Sequence, residues 1–528
     1  MKLNYKRTLF VGFAFFLICL FWQAYDNIVP KILIDKFGMS QTWSGVIMAL
    51  DNVLALFMLP LFGSISDKCK SKLGRRTPFI LIGTICACVL FVGLSFADNL
   101  QLKNLGPAAH FVTGSDGLRS IDAEGMKTIY DATEGMILET TDEGKQFVLG
   151  KDISEKEFLS IKAEIRTEEG KTAVNPVFSN YVVPAREAYA ATVKDANKLP
   201  LALFVIVLLL LLVSMATFRS PAVALMPDVT IKPLRSKANA IINLMGTAGG
   251  ILVLALGMVF ATGKYYNAMI SYTGYFSLIA GLMLLALLVF LWKVKEPKLV
   301  EKMKADSAKY GIEEVDADAP ENLRKLSKEE KRSLFFILAS IVLWFMGYNA
   351  VTSKYSVYAG TVLNLDYNST LLIAQAAAIV AYLPVGMAAS KLGRKKTIMA
   401  GIIMLTTAFF VASFLRQGSP AFVMNLMFAL AGIGWATINV NSFPMVVELA
   451  KGGNVGKYTG FYYTASMAAQ TLTPLFSGYL MDTTGTMTVL FPYATLFAAL
   501  AFFTMIFVKH GDSKPEARKG LEAMDVDD

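Results

Sequence analysis

Three ionisable residues interrupt long apolar stretches of this sequence. Asp26 and Asp51 lie in the first two stretches, and Arg219 lies in the fourth, nine residues before Asp228. Charged side chains are costly at membrane depth, and they usually face a cavity or one another. Burial and a nearby guanidinium act on a carboxyl group in opposite directions, so these residues could bind and release a proton. A static structural ion pair is the alternative.

Twelve long apolar segments must position these side chains. Hydrophobic residues make up 55% of the chain and charged residues 17%, whereas soluble domains contain about 25% charged residues. A helix of about 20 mostly apolar residues crosses a bilayer. The sequence therefore predicts an all-α integral membrane protein with twelve transmembrane helices. The segments are 8–29, 43–63, 78–97, 199–227, 238–261, 268–292, 334–357, 367–388, 397–415, 421–447, 458–480 and 487–508.

A cationic loop occurs twice in the chain. Residues 63–76 read GSISDKCKSKLGRR, and residues 386–396 read GMAASKLGRKK. Each follows an apolar segment that contains a Leu-Pro pair, and each precedes another apolar segment. Such a repeat is typical of a duplicated transporter. We therefore expect two bundles of six helices.

Lysine and arginine are concentrated in alternate short connections. The N-terminus, both cationic loops and residues 232–237 are rich in them, whereas the opposite connections hold Lys31, Lys36, Lys264 and Arg416. Basic connections stay in the cytoplasm, so we expect a multi-pass plasma-membrane protein with both termini cytoplasmic. This asymmetry accounts for the net charge of +9, and nucleic-acid binding is not expected.

Metal sites, disulfides and enzymatic activity are not expected either. The chain has two histidines, and its four cysteines lie in apolar segments or a cationic loop without histidine partners. It contains neither a P-loop nor a nucleophile elbow. We therefore predict a protein that is not an enzyme and has no cofactor. The cysteines are Cys19, Cys69, Cys86 and Cys88.

Two polar regions interrupt the apolar segments. The region 98–198 separates the third and fourth segments and is predicted to be extracytoplasmic. Strands are expected at 136–140 and 146–149, and a helix at 154–165, where Ser154 and Glu157 would form a capping box. A small α/β domain or disorder would fit. The resulting division is 1–97, 98–198, 199–292, a cytoplasmic linker at 293–333, 334–508, and a cytoplasmic tail at 509–528.

An ungapped alignment of the two halves separates charges from amides. Each of the three deep charged residues of the first half is matched by an amide in the second. We therefore expect ion coupling in the first half and hydrogen bonding to a neutral, hydroxyl-rich solute in the second. The aligned pairs are Asp26 with Asn349, Asp51 with Gln375, and Arg219 with Asn439.

Further polar and aromatic residues recur at helical spacing and could line a cavity. Aromatic rings can stack on the apolar faces of sugars, and amides can bind their hydroxyl groups. Hydroxyl side chains in such helices often bond only to the backbone or bridge helices. The predicted substrate-binding residues are Gln23, Asn27, Asn243, Tyr348, Asn349, Gln375, Asn439, Tyr462, Tyr463 and Gln470.

The loop 63–76, followed by TPFI, resembles the loop motif of the major facilitator superfamily. Together with RSPAVALMPD at 219–228 and RSKAN at 235–239, it is similar to plant sucrose transporters and animal proton-associated sugar transporters. These groups lie near the glycoside–pentoside–hexuronide:cation symporters. The resemblance covers both halves but not the region 98–198. It implies a monomeric transporter in which two bundles rock around a central site.

The resemblance also implies a cytoplasmic gate. Asp67, Arg75 and Arg76 would hold it in the outward-open state, while Gly63 and Gly74 would allow close approach and a tight turn. The second cationic loop has Ser390 instead of an aspartate, so its gate is expected to differ. The gate residues implied are Gly63, Asp67, Gly74, Arg75, Arg76, Asp228, Arg235, Gly393, Arg394 and Glu448.

The sequence departs from these relatives at two places that matter for ion coupling. Plant sucrose transporters have an arginine where this chain has Val223, so Arg219 does not simply inherit its role. The paired acids of sodium-coupled relatives are replaced by the apolar run Leu56–Leu59, which favours protons over sodium. We predict proton-coupled symport of a sugar, either a disaccharide or a glycoside. The alternatives are a sodium-coupled symporter, an exporter of another small solute, and a transporter-like sugar sensor.

Overall fold

Three long helices begin the chain. The computed structural model describes residues 3–142, 144–166, 172–231, 234–263, 268–309, 326–447, 449 and 455–510. The first helices are α1 (Tyr5–Lys31), α2 (Gln41–Asp67) and α3 (Thr77–Leu105). Ser40 caps α2 because its hydroxyl accepts a hydrogen bond of 3.3 Å from the Trp43 N–H.

The first helix extends further than predicted. It continues beyond Lys31 as a π-helical turn, Ile32–Lys36, and both lysines are buried. Lys31 Nζ lies 3.5 Å from Asp35, and Lys36 Nζ lies 2.7 Å from Asp98 of α3. The prediction that these lysines lie in a connection between helices is wrong. The carboxylates of Asp98 on α3 and Asp35 on the same turn compensate for the burial of these two lysine charges.

Residues 106–196 form a folded body, called the insert below. Its strands pair consecutively into three two-stranded antiparallel sheets. Its core contains Tyr130, Phe147, Phe158 and Phe178, so its described residues are ordered. The elements are β1 (Phe111–Thr113), β2 (Arg119–Ile121), α4 (Ala123–Thr133), β3 (Ile137–Glu139), β4 (Gln146–Val148), α5 (Glu155–Ser160), β5 (Glu164–Arg166), β6 (Thr172–Val174) and α6 (Val183–Ala196).

The local predictions for the insert are confirmed in most respects. Strands β3 and β4 pair as the expected hairpin, and Ser154 forms the capping box with Glu157 at the start of α5. The predicted continuation of this helix to Ile165 is wrong. The helix ends at Ser160 because the chain then enters β5, where Ile165 pairs with Ala173 of β6.

The other described residues are helical apart from their connections. One apolar core joins α1–α3 to α7–α9, and a separate core joins α11–α16; these two groups are called the first and second halves. In the described part of the chain, ten helical stretches are long and apolar enough to cross a membrane, and α12 and α15 are not among the ten. The elements are α7 (Leu199–Val229), α8 (Arg235–Val259), α9 (Thr273–Lys293), α10 (Glu296–Lys309), α11 (Lys328–Tyr358), α12 (Tyr367–Leu392), α13 (Arg394–Ala412), α14 (Ala421–Val447), α15 (Val455–Thr484) and α16 (Leu490–Ile506).

The two ends of the helical body differ. The end at which α3 stops and α7 begins carries the insert and is called the insert end. The opposite end carries the connection between α2 and α3, residues 68–76, and is called the loop end. Residues 310–325 of the predicted linker and 511–528 of the predicted tail lie outside the described residues.

Candidate functional site

Helices α1, α2 and α7 bring the three deep ionisable residues together. The charges of Asp26, Asp51 and Arg219 act on one another, but no ion pair joins Arg219 to either acid among the described residues. Asp51 Oδ1 instead accepts hydrogen bonds from the Asn52 N–H and Nδ2, at 2.6 and 2.7 Å. The Arg219 guanidinium lies 5.4 Å from the centre of the Trp22 ring.

A hydrogen bond between two amides links the halves beside this cluster. Gln375 Nε2 on α12 donates to Gln23 Oε1 on α1 at 2.6 Å. Gly250 of α8 leaves room for the pair, since a methyl group there would lie 3.3 Å from both amide oxygens. The Gln375 oxygen is buried without a hydrogen-bond partner among the described residues. An unsatisfied buried acceptor is costly, so a bound hydroxyl group would be favoured here.

The second half adds an aromatic wall. The Tyr348 ring stacks on Trp435 of α14, with ring centres 3.6 Å apart and planes 4° from parallel. Asn439 follows Trp435 by one helical turn and therefore lies on the same face of α14. Tyr348 is within electrostatic reach of Asp26. Next to it, Asn349 Nδ2 is buried without a partner in the described part of the chain, which leaves a donor for a ligand.

Other predicted binding residues are engaged in packing or lie on more open faces. The Tyr462 hydroxyl lies 3.1 Å from Ser442 Oγ within the second half, and Asn27 is buried. Their assignment to substrate binding remains a prediction. The partly exposed members on α8 and α15 are Asn243, Tyr463 and Gln470.

At the loop end, the predicted gate residues meet around one carboxylate. Asp228, at the end of α7, accepts from Arg75 Nη2 at 2.7 Å and from Arg76 Nε at 2.8 Å. Arg76 also forms an ion pair with Asp67 and donates to Ser66 Oγ at 2.5 Å. These bonds tie α2, α3 and α7 together within the first half. Their role as a gate remains a prediction.

A buried glutamate completes the loop end. Glu296, the first residue of α10, accepts from the backbone N–H groups of Arg75, Arg76 and Thr77 at 2.8, 3.0 and 2.8 Å. It therefore caps the N-terminus of α3, where a negative charge is favoured. Gly74 has φ +111°, and a methyl group there would overlap the Glu296 carboxylate. Both the backbone conformation and the cap require glycine at this position.

The remaining gate predictions are only partly described. Gly63 allows α2 to approach α7, because a methyl group there would lie 2.9 Å from Ser220 Oγ. Gly393, with φ +91°, separates α12 from α13, and Arg394 beside it is buried. The side chain of Arg235 and the whole of Glu448 lie outside the described residues.

The sequence profile of the MFS_1-like family matches residues 4–491. The chain belongs to this family. The fold agrees: an inward-open structure of the xylose transporter XylE from E. coli gives a TM-score of 0.58 at 14% identity, over 99% of each chain. A crystal structure of a D-xylose-proton symporter gives 0.57 at 14% identity, over 96% of this chain and 98% of that one.

Curated relatives match shorter stretches of this MFS_1-like protein. Sucrose transport protein SUC4 of Arabidopsis thaliana is 33% identical over 67 residues, which is 13% of each chain. Proton-associated sugar transporter A of Homo sapiens is 30% identical over 112 residues, 21% of this chain and 14% of that one. These matches therefore span a small part of each relative. They confirm the resemblance drawn from the motifs, and the family is one of transporters and not of enzymes.

Sequence reasoning missed three features of the MFS_1-like chain. Trp435 could have been found, because it precedes Asn439 by four residues in an apolar segment. Glu296 carried only a weak signal, as an acid followed by proline at the start of a charged linker. The buried pair of Lys36 and Asp98 carried none, because a lysine at the end of an apolar run fits a loop equally well.

Proposed function

We propose that this protein is a secondary active transporter that carries a sugar together with protons. The observation that carries the proposal is the hydrogen bond between Gln23 and Gln375. Gln23 precedes Asp26 by three residues and shares its helix face. The bond therefore connects the acids of the first half to the amides of the second. Loading of a proton and binding of a solute would occur within one helical turn of each other.

The solute is proposed to be rich in hydroxyl groups. The buried Asn349 Nδ2 is a free donor and the buried Gln375 Oε1 a free acceptor among the described residues. A hydroxyl group satisfies both kinds of partner. The stacked pair of Tyr348 and Trp435 offers a flat apolar surface for a sugar ring. The names of the curated relatives also support a sugar, and a disaccharide or glycoside is our specific proposal.

Protons are proposed as the coupling ion, with no other cofactor. Asp26 and Asp51 lie beside Arg219 without forming an ion pair with it in the described part of the chain. Protonation of either acid would change the net charge facing the amides of the second half. The apolar run Leu56–Leu59 lacks the paired acids expected of a sodium site.

The proposed mechanism is alternating access by two bundles. The separate apolar cores of the two halves suit bodies that rock about a site between them. We propose twelve transmembrane helices, a monomer in the plasma membrane, cytoplasmic termini and an extracytoplasmic insert. The lysines and arginines of the loop end support this orientation.

The test is uptake by purified protein in liposomes. Labelled sucrose, maltose and monosaccharides would be offered with an inward proton gradient, an inward sodium gradient, or neither. We expect accumulation of a disaccharide with the proton gradient alone. Accumulation driven by sodium would overturn the coupling, and binding without flux would favour a sensor. No response to any sugar would remove the proposed solute.

A further inference from the structure

The two halves touch backbone to backbone at the insert end. There α2 of the first half crosses α15 of the second. A methyl group on Gly45 would overlap the Pro474 carbonyl oxygen, and one on Gly478 would overlap the Gln41 carbonyl oxygen. Glycine on each helix thus allows a contact that no side chain separates. Polar groups at this crossing can act directly on the backbone of the other half.

Both backbone polar groups of Gln41 are held by charged side chains of the second half. Asp482, near the end of α15, accepts from the Gln41 and Thr42 N–H groups, each at 2.8 Å. Lys354 of α11 donates to the Gln41 carbonyl oxygen at 2.7 Å. Asp482 therefore caps the N-terminus of α2 from across the interface, where a carboxylate is favoured by the helix dipole. The cap from within the first half, Ser40, is the neutral and longer bond of 3.3 Å.

Lys31 of the first half occupies the position that aligns with Lys354 of the second half. Lys31 makes a different contact, because it pairs with Asp35 one turn away in its own half. Among the described residues, Lys31 therefore makes no bond to the second half that matches the bond of Lys354 to Gln41. The neighbouring contact, between the turn after α8 and the start of α12, includes a bond between hydroxyl groups: the Thr262 and Tyr367 oxygens lie 2.8 Å apart. Loss of Asp482 would leave that contact in place.

We propose that Asp482 is a positioning residue for transport, which latches the two halves together at the insert end and must release when that end opens. The inference rests on the proposed function, since alternating access is what requires opening. Asp482 is exposed and lines a cavity of about 430 Å³ beneath the insert, with Gln41 and Glu139. Water can thus replace the bonds to α2 as they break, which makes the latch reversible.

The test measures the separation of the halves in the full-length protein. Spin labels would be placed at Leu199, at the start of α7, and Phe422, at the start of α14; both side chains are exposed. The four native cysteines would be replaced by serine. Distances would be measured by pulsed electron paramagnetic resonance in lipid nanodiscs without solute. The closed insert end gives the shorter distance and the open end the longer one.

Asp482→Asn should lower the ratio of closed to open populations about fivefold, because asparagine removes the negative charge at the N-terminus of α2 and one of the two acceptor oxygens. Ser40→Ala is the matched control, because it removes a cap from the same helix end without touching the second half. It should leave the distances unchanged, and Asp482→Glu should preserve most of the closed population. Lys354→Met, which keeps Asp482, should shift the distances in the same direction as Asp482→Asn.

Unchanged distances in both Asp482→Asn and Lys354→Met would overturn the latch. An equal shift in Ser40→Ala would also overturn it, because the effect would then come from stability of α2. The distances are measured without solute, so they do not depend on which sugar or ion the protein carries. A shift in distance with no sugar uptake would keep the latch and remove only the proposed solute.

Discussion

Gln375 donates a hydrogen bond of 2.6 Å to Gln23 across the two halves of the protein. Of the two side chains, Gln375 also keeps a buried oxygen free of hydrogen-bond partners in the described part of the chain. A transported solute that binds between the halves would compete for this pair. The pair is therefore the point at which solute affinity and closure of the halves should be most sensitive to substitution.

Gln375→Ala should weaken sugar binding about tenfold with little effect on proton dependence. The variant loses one hydrogen bond to the solute, which contributes about 1–1.5 kcal/mol. Binding affinity and the KM for uptake report the loss. Gln375→Asn, which keeps an amide, should bind sugar with an affinity between those of Gln375→Ala and the unmodified protein. If Gln375→Ala binds sugar as the unmodified protein does, the solute does not contact this residue.

Asp26→Asn and Asp51→Asn should each abolish proton-driven accumulation while sugar binding and exchange across the membrane persist. Asparagine keeps the shape of the side chain but cannot release a proton. Uptake against a sugar gradient would be compared with counterflow, which needs no net proton movement. Asp195→Asn, on the exposed surface of α6, is the control. Normal accumulation in both variants would show that the coupling group lies elsewhere.

The sequence marks the deep polar residues that the structure brings together because they contrast with their surroundings. Asp26 and Gln375 stand out in apolar segments, where a polar side chain is costly and usually serves a function. The loop-end cluster follows from the repeated motif and the family resemblance. In these cases, the local sequence contains the signal.

The local sequence does not predict which residues far apart in the chain contact each other. Glu296 caps a helix that begins 219 positions earlier, and Asp482 caps one 441 positions away. Neither acid differs locally from an ordinary surface carboxylate. The burial of Lys36 likewise depends on Asp98, 62 positions along the chain. Periodicity reports which face of a helix is apolar, but not which distant backbone or charge that face meets.

Gly74→Ala should destabilise the first half through Glu296. Alanine is strained at φ +111°, and its methyl group would displace the carboxylate that caps α3. We expect a loss of about 1–3 kcal/mol, from strain and the lost cap, measured as a lower Tm. Glu296→Ala alone should cost about 1–2 kcal/mol.

The double variant separates the two effects. With Glu296 already removed, Gly74→Ala should cost less than it does alone, because only the backbone strain remains. Gly135→Ala is the control: it also has positive φ, but a methyl group there would meet nothing within 4 Å. Fully additive losses in the double variant would contradict the steric link between Gly74 and Glu296.

Glu187 should make docking of the insert depend on pH. It lies on α6, whose backbone contacts Gly38 just beyond α1. Partial burial raises the pKa of Glu187 to about 8, and Asp35 adds to this, while Arg186 and Lys31 oppose it. The ordinary value is about 4.3, so the docked insert holds a proton that the undocked one releases. Docking is therefore most stable below about pH 4 and weakens as pH rises to about 8.

Hydrogen exchange of residues 183–196 would test this, with each variant compared to the unmodified protein at the same pH. At about pH 3.5 Glu187→Gln and the unmodified protein should exchange nearly alike, because the Glu187 carboxyl is then mostly neutral in both the docked and the undocked state. At pH 8.5 the unmodified protein should exchange faster, while Glu187→Gln stays protected. Glu124→Gln, on the exposed face of α4, should follow the unmodified protein throughout. Equal exchange of Glu187→Gln and the unmodified protein at pH 8.5 would mean that docking does not raise the pKa of Glu187.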